Sequence, residues 1–326
     1  MRKNLSKTAL ALGFIALTGT GCLSNVKKYP SAPTDSPATI PLDLPSLKAK
    51  AAEGVAEAQY HLGALYEEGQ GVPQNQARGL ALYQAAAAQD YAPAEYSLGS
   101  LYEVGRTVSQ NLAKAVDLYQ RGAAHGDDKA QYALGELYRA GRGVSQNYAK
   151  VAEFWQKSAL QGNADAQYNL GLLYQKGQGV PLNYFRTAEL WEQSARQGNA
   201  GAQFGLAGLY GSGNGVAMDQ AKATELYQKA AEQGYSPAQY TLGVIYHNGQ
   251  GVSQNSAKAA ELWEQAANQG NSQAQMCLGG LYVNGSGVPQ DYRKAAELYQ
   301  KAASQGSSSA QKALESLYQA QPDLRP

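Results

Sequence analysis

Apolar residues recur along most of the chain with a helical period. Between Ala56 and Glu68 they fall at Ala58, Leu62, Leu65 and Tyr66. At 100° per residue these gather on one face, with polar side chains between them, which predicts an amphipathic helix. Gly-Gln-Gly-Val follows at Gly69–Val72, a break whose glycines are available for left-handed backbone angles. One residue disturbs the pattern. Gly63 lies in the middle of the helix, where glycine costs roughly 1 kcal/mol relative to alanine. It sits on the flank of the apolar face, so the missing side chain predicts a close approach by another helix.

The same columns return every 36 residues. Ala58/Tyr60/Leu62/Gly63/Tyr66 reappear as Ala94/Tyr96/Leu98/Gly99/Tyr102 and continue in register to Ala274/Met276/Leu278/Gly279/Tyr282. A last copy, Ala310/Lys312/Leu314/Glu315/Tyr318, ends the chain. A fixed period of this length signals a repeat architecture. Each unit predicts two helices. In the fourth, Asn163 is a suitable N-cap for a helix over 164–176. GQGVP breaks the chain, and a second helix over 183–197 carries Ala188, Leu190, Trp191 and Ala195. Gly198 closes it as a left-handed cap. Short connections make the two helices antiparallel neighbours. Before the first unit, Leu47–Gly54 reads as the tail of a second helix with Ser46 as its cap. After the seventh, Ser307–Gln319 reads as a first helix alone, with Lys312 and Glu315 turned to water, as a terminal unit requires. The fold class is therefore all-α, with the repeats over 46–320 and a short tail over 321–326.

The pattern AQYxLGxLYxxGxGV, then xNxxKAxELYxxAAxQG, resembles the Sel-one-like repeat, a branch of the tetratricopeptide-like α/α solenoids. ADAQYNLGLLYQKGQGV and AKAAELWEQAANQGN show it most clearly. The resemblance covers residues 47–320. It implies a right-handed α/α superhelical solenoid of 36-residue helix-turn-helix repeats, with first helices lining the concave side. It also implies a non-enzymatic scaffold or adaptor that binds a protein or peptide partner. Two departures stand out: Asp90 replaces the glycine that closes the first unit, and Thr107 replaces the second loop glycine of the next.

The N-terminus carries an address. Met1–Lys7 is short and positive, and Thr8–Gly19 is an apolar run of 12. That length matches a secretory signal core and falls short of the ~20 residues a membrane helix needs. Leu17–Cys22, LTGTGC, resembles a bacterial lipoprotein signal, implying cleavage after residue 21 and lipid modification of Cys22. Gly19 departs from that pattern, and an ordinary signal peptide with an incidental cysteine is the alternative. Leu23 is not the aspartate associated with inner-membrane retention. The resemblance thus implies an outer-membrane lipoprotein facing the periplasm or the surface, with a soluble periplasmic or secreted protein as the alternative. Residues 22–45 hold Pro30, Pro33, Pro37, Pro41 and Pro45 among many Ser and Thr. Such a segment buries too little apolar surface to fold and is expected to act as a tether of on the order of 25–30 Å.

Charge narrows the partners. Loss of residues 1–21 removes Arg2, Lys3 and Lys7, leaving 24 basic against 26 acidic side chains and a net charge of −2. Nucleic-acid binding needs a basic footprint, and this chain has none. Chemistry is equally sparse. His61, His125 and His247 show no metal-ligand spacing and read as surface residues. Gly211–Val216 imitates a phosphate loop but lacks the lysine that follows one. Glu189, Glu225, Glu261 and Glu297 recur in register, as solvated helix faces do. The sequence therefore predicts no catalytic, metal or cofactor site. Cys277 has no partner if Cys22 carries lipid. The tyrosines fall mostly in the repeat columns and read as core; a glycan- or cell-wall-binding protein, or a secreted host-interaction factor, is the competing function.

Function should lie where repeats differ. Positions 57, 61, 64 and 68 of the first unit share one helix face, and their equivalents vary freely. The candidate partner-binding residues on this stripe are Asn169, Leu172 and Lys176 in the fourth unit, with Ser100, Glu136, Val244 and Asn248 in others.

Overall fold

The computed structural model describes residues 43–325. The expected signal segment, Cys22 and most of the expected tether lie outside the described residues. Within them, every regular element is helical. A half-unit, α1 (Leu44–Ala52), precedes seven helix pairs. The first helices of the pairs are α2 (Ala56–Glu68), α4 (Ala92–Val104), α6 (Asp128–Ala140), α8 (Ala164–Lys176), α10 (Ala200–Ser212), α12 (Ser236–Asn248) and α14 (Ser272–Asn284). Their partners are α3 (Gln76–Ala87), α5 (Leu112–Ala124), α7 (Tyr148–Leu160), α9 (Tyr184–Arg196), α11 (Gln220–Glu232), α13 (Ser256–Asn268) and α15 (Tyr292–Ser304). A lone α16 (Ser308–Ala320) ends the array. Each helix packs on the one before and the one after it, which is the contact order of an α/α solenoid.

Local chemistry accounts for the helix ends. Asn163 caps α8, its side chain accepting a hydrogen bond from the Ala166 N–H, and Asn183 caps α9 through the Arg186 N–H. Gly177 ends α8 in the left-handed region at φ +66°, and Gly198 follows α9 at φ +88°. The start of the array differs from the expectation. Asp43, not Ser46, is the cap of α1; it accepts from the Ser46 N–H, and Pro45 sits inside the first turn. Proline tolerates that position because its missing N–H would have no helical partner there. Helix therefore begins at Leu44, inside the segment expected to be tether. At the other end Ser307 caps α16. Lys312 and Glu315 are exposed, as a terminal face requires. Residues 322–324 form a short 3-10 turn whose Leu324 packs back on the last helices, so the expected tail is partly docked.

The mid-helix glycines have a specific neighbour. A side chain at Gly99 would bring its first carbon within 2.7 Å of Tyr119 Cε1, and one at Gly279 within 2.6 Å of Tyr299 Cε1. At Gly135, Gly171 and Gly243 the obstacle is the indole of Trp155, Trp191 and Trp263. Each indole also anchors itself: Trp191 Nε1 donates to the Tyr168 carbonyl at 3.0 Å, and Trp263 Nε1 to that of Tyr240 at 3.0 Å. The close approach is thus made by the aromatic ring of the second helix lying over the first helix's backbone. Core clusters repeat along the array, each joining one unit to the next.

Candidate functional site

The stripe of variable positions divides into two parts. Its middle columns are half-buried and take part in packing. Asn169 Nδ2 donates to the Tyr132 hydroxyl at 2.8 Å, bridging consecutive first helices. Leu172 packs on the cluster holding Trp191 and Leu206, and Val244 on the cluster holding Trp263 and Leu278. Glu136 holds Arg139 in the same helix at 2.8 Å, and Ser100 is half-buried. The middle columns are therefore not free of packing constraint, because each touches the neighbouring unit or its own helix. The outer column is different. Glu68, Val104, Ala140, Lys176, Ser212, Asn248 and Asn284 are all exposed, at the last turn of each first helix. Lys176 and Asn248 are the predicted residues that a partner reaches without disturbing the array.

The aromatic residues are mostly committed elsewhere. Tyr83, Tyr119 and Tyr299 are buried, and the Tyr83 and Tyr119 hydroxyls donate to Glu67 at 2.9 Å and Glu103 at 2.8 Å. Lys114, Lys222 and Lys258 lie over the rings of Tyr102, Tyr210 and Tyr246 and donate to their hydroxyls. Glu189, Glu225, Glu261 and Glu297 are exposed, as their recurrence implies. Cys277 is half-buried beside Tyr240, and burial pushes its thiol up to about 11, so it stays protonated and inert near neutral pH.

A polar ladder runs through the junctions. Gln59, Gln131, Gln167, Gln203, Gln239 and Gln275 are buried on the first helices. Each accepts a hydrogen bond of 2.7–2.9 Å from the glutamine just past the paired second helix, at residues 89, 161, 197, 233, 269 and 305. Each of the six also donates to a carbonyl near the end of the preceding second helix, as Gln167 does to Ala159 at 3.1 Å.

The second unit breaks this ladder, and the sequence reading missed it. Glu95 and His125 occupy the two glutamine columns. Glu95 is fully buried, and His125 Nδ1 lies 2.8 Å from its Oε2. Arg121 Nη2 lies 2.8 Å from Glu95 Oε1 and 3.1 Å from Asp90 Oδ1. Asp90 keeps the left-handed backbone of the glycine it replaces, at φ +59°. Of the three histidines that read as surface residues, His125 is exposed while His61 and His247 are half-buried, and each has a neighbour. His125 holds a buried carboxylate, His247 packs at a tilt against Trp263 with ring centroids 5.4 Å apart, and His61 packs edge-on to Tyr60 at 5.2 Å. The interruption of the glutamine columns was the available signal.

The Sel1 repeat family matches residues 56–91, 92–127, 128–163, 164–199, 200–235, 236–271 and 272–307, which together make up most of the chain. The protein belongs to the Sel1 repeat family. Its fold is similar to that of a protective antigen present in uropathogenic Escherichia coli strains, which displays an SLR fold. The two share 34% identity with a TM-score of 0.77, covering 85% of this chain and 60% of the antigen. The chain thus spans less than two thirds of that relative's length. A Sel1 repeat protein from Oxalobacter formigenes is similar at 32% identity and a TM-score of 0.67, over 84% of this chain and 79% of the relative. No curated protein matches the chain. Sel1 repeat proteins are in general non-enzymatic protein-interaction scaffolds, and repeat solenoids of this kind in general bind protein partners.

Proposed function

We propose that this Sel1 repeat protein is an adaptor of the bacterial cell envelope, exported, held at the outer membrane by a lipid on Cys22, and presenting the first-helix face to a protein partner. The observation that carries the reading is the outer column of that face, from Glu68 to Asn284. It is exposed in every unit and differs in chemistry from unit to unit. Accessible positions whose chemistry changes along the array suit a surface adapted to a specific partner. Side-chain bridges between consecutive first helices, such as Asn169 to Tyr132, draw these helices together and favour the inner, concave side for them. The relative from uropathogenic Escherichia coli is a protective antigen, and this supports exposure at the cell surface over a purely periplasmic site.

The test has two arms. Mass spectrometry of the mature protein is expected to find a diacylated or triacylated Cys22, and Cys22→Ser to release the chain from membranes. Affinity capture from envelope extracts should lose its partner when Lys176 and Asn248 are both changed to glutamate. It should keep that partner when the exposed second-helix residues Glu189 and Glu261 are both changed to lysine. An unmodified N-terminus overturns the anchor; equal capture by both variants overturns the binding face.

A further inference from the structure

The junction that breaks the ladder changes three residue types together. Gln becomes Glu95, Gln becomes His125, and the closing glycine of the first unit becomes Asp90. Each change brings in a side chain able to ligate a metal ion, where a neutral amide or no side chain stood before. Their ligand atoms all lie within 4.8 Å of one another.

The existing contacts leave this cluster incompletely satisfied. Arg121 Nη2 carries two hydrogens. One is donated to the Ala87 carbonyl at 2.9 Å and the other to Asp90 Oδ1 at 3.1 Å. None remains for Glu95 Oε1, which is 2.8 Å from the same nitrogen yet buried without a hydrogen bond. A buried acceptor left in that state is costly. Two carboxylates, one of them fully buried, face one guanidinium.

We propose that Asp90, Glu95 and His125 form a divalent-metal site of the zinc class, clamping the first unit to the second. One imidazole nitrogen and two carboxylate oxygens are a zinc donor set, with a fourth position left for water. Calcium takes six to eight oxygens and is a poorer match to this cluster. Glu95 is fixed by its burial, while Asp90 and His125 are exposed and free to close on an ion. Arg121 is the built-in competitor. Its guanidinium stands between the two carboxylates, and its side chain is 40% exposed, so it has solvent to withdraw into. A divalent ion supplies Glu95 Oε1 with a ligand bond in place of the hydrogen bond it lacks.

The repeats themselves supply the control. Glu95→Gln with His125→Gln restores the amide pair found in the other six units, and Asp90→Gly restores their glycine. Full-length protein is titrated with zinc chloride by calorimetry, and its melting temperature is followed with and without the ion. The wild type is expected to bind one zinc per chain at this site and to melt higher with it. The Gln/Gln variant should fold by circular dichroism and lose both effects, and Asp90→Gly should bind on the order of tenfold more weakly or worse. Arg121→Ala should melt lower than wild type without zinc and recover with it. His61, His247 and Cys277 remain in every variant, so zinc held by them does not distinguish the variants. The proposal is overturned if the wild type shows no saturable binding, if the Gln/Gln variant retains it, or if zinc fails to restore Arg121→Ala.

Discussion

Gly171 and Trp191 show how a single residue decides the local structure. The indole lies where any side chain at 171 would have to go, and its N–H is bonded to the Tyr168 carbonyl in the same turn. A Gly171→Leu variant must displace a buried ring and break that hydrogen bond, so it should lose roughly 1–3 kcal/mol or more through overpacking. Glu189→Gln, on an exposed helix face, should cost less than ~0.5 kcal/mol. Urea denaturation of both measures the difference, and equal midpoints would show that the ring yields freely. The need for a small residue at this column was legible in the sequence; its neighbour was not. A helical pattern shows which face is crowded, but which side chain fills the space depends on the angle between two helices. Asp90 and Thr107 mark the opposite limit. Both were visible as departures, and both keep positive φ, at +59° and +67°, because the surrounding turn holds them there despite the cost to a non-glycine residue.

At the scale of the element, boundaries followed from caps and glycine stops. The bounds of α8 and its Asn163 cap could be read directly, since Asn before an apolar period and Gly after it are local signals, whereas Asn183, read as part of the second helix, is the cap of α9. The start of α1 could not, because Pro45 resembles tether as much as a first turn. What joins the elements was also hidden. A glutamine column that varies little looks like an unremarkable polar face in the sequence, yet in the fold it bridges three helices. Gln203 donates to the Ala195 carbonyl at 3.3 Å and accepts from Gln233 at 2.7 Å. Gln203→Leu keeps much of the volume and leaves both partners without it, so it should destabilise by about 1–3 kcal/mol. The same change at exposed Gln193 should have little effect. Thermal melts of the two variants test whether the ladder holds the units or merely accompanies them; matching curves would assign the stability to apolar packing alone.

The whole molecule is an array in which every unit repeats one solution and differs in what it shows to solvent. Fold class, unit count and capped ends were legible because periodicity is a long-range signal that survives local substitutions. The candidate binding surface was legible only in part. Reading variation as freedom placed Asn169 and Leu172 on an open face, whereas the structure ties the first to Tyr132 and packs the second on the core. On the first-helix stripe, exposure and variation coincide in every unit at the outer column. The central claim, a protein partner held along that column, is tested most directly by photocrosslinking in living cells. A photoreactive residue is placed singly at Lys176, Asn248, Glu189 or Glu261. One discrete crosslinked protein band is expected from residues 176 and 248 and none from 189 and 261. Crosslinks confined to 189 and 261, or none at any position in a producing cell, would contradict the claim.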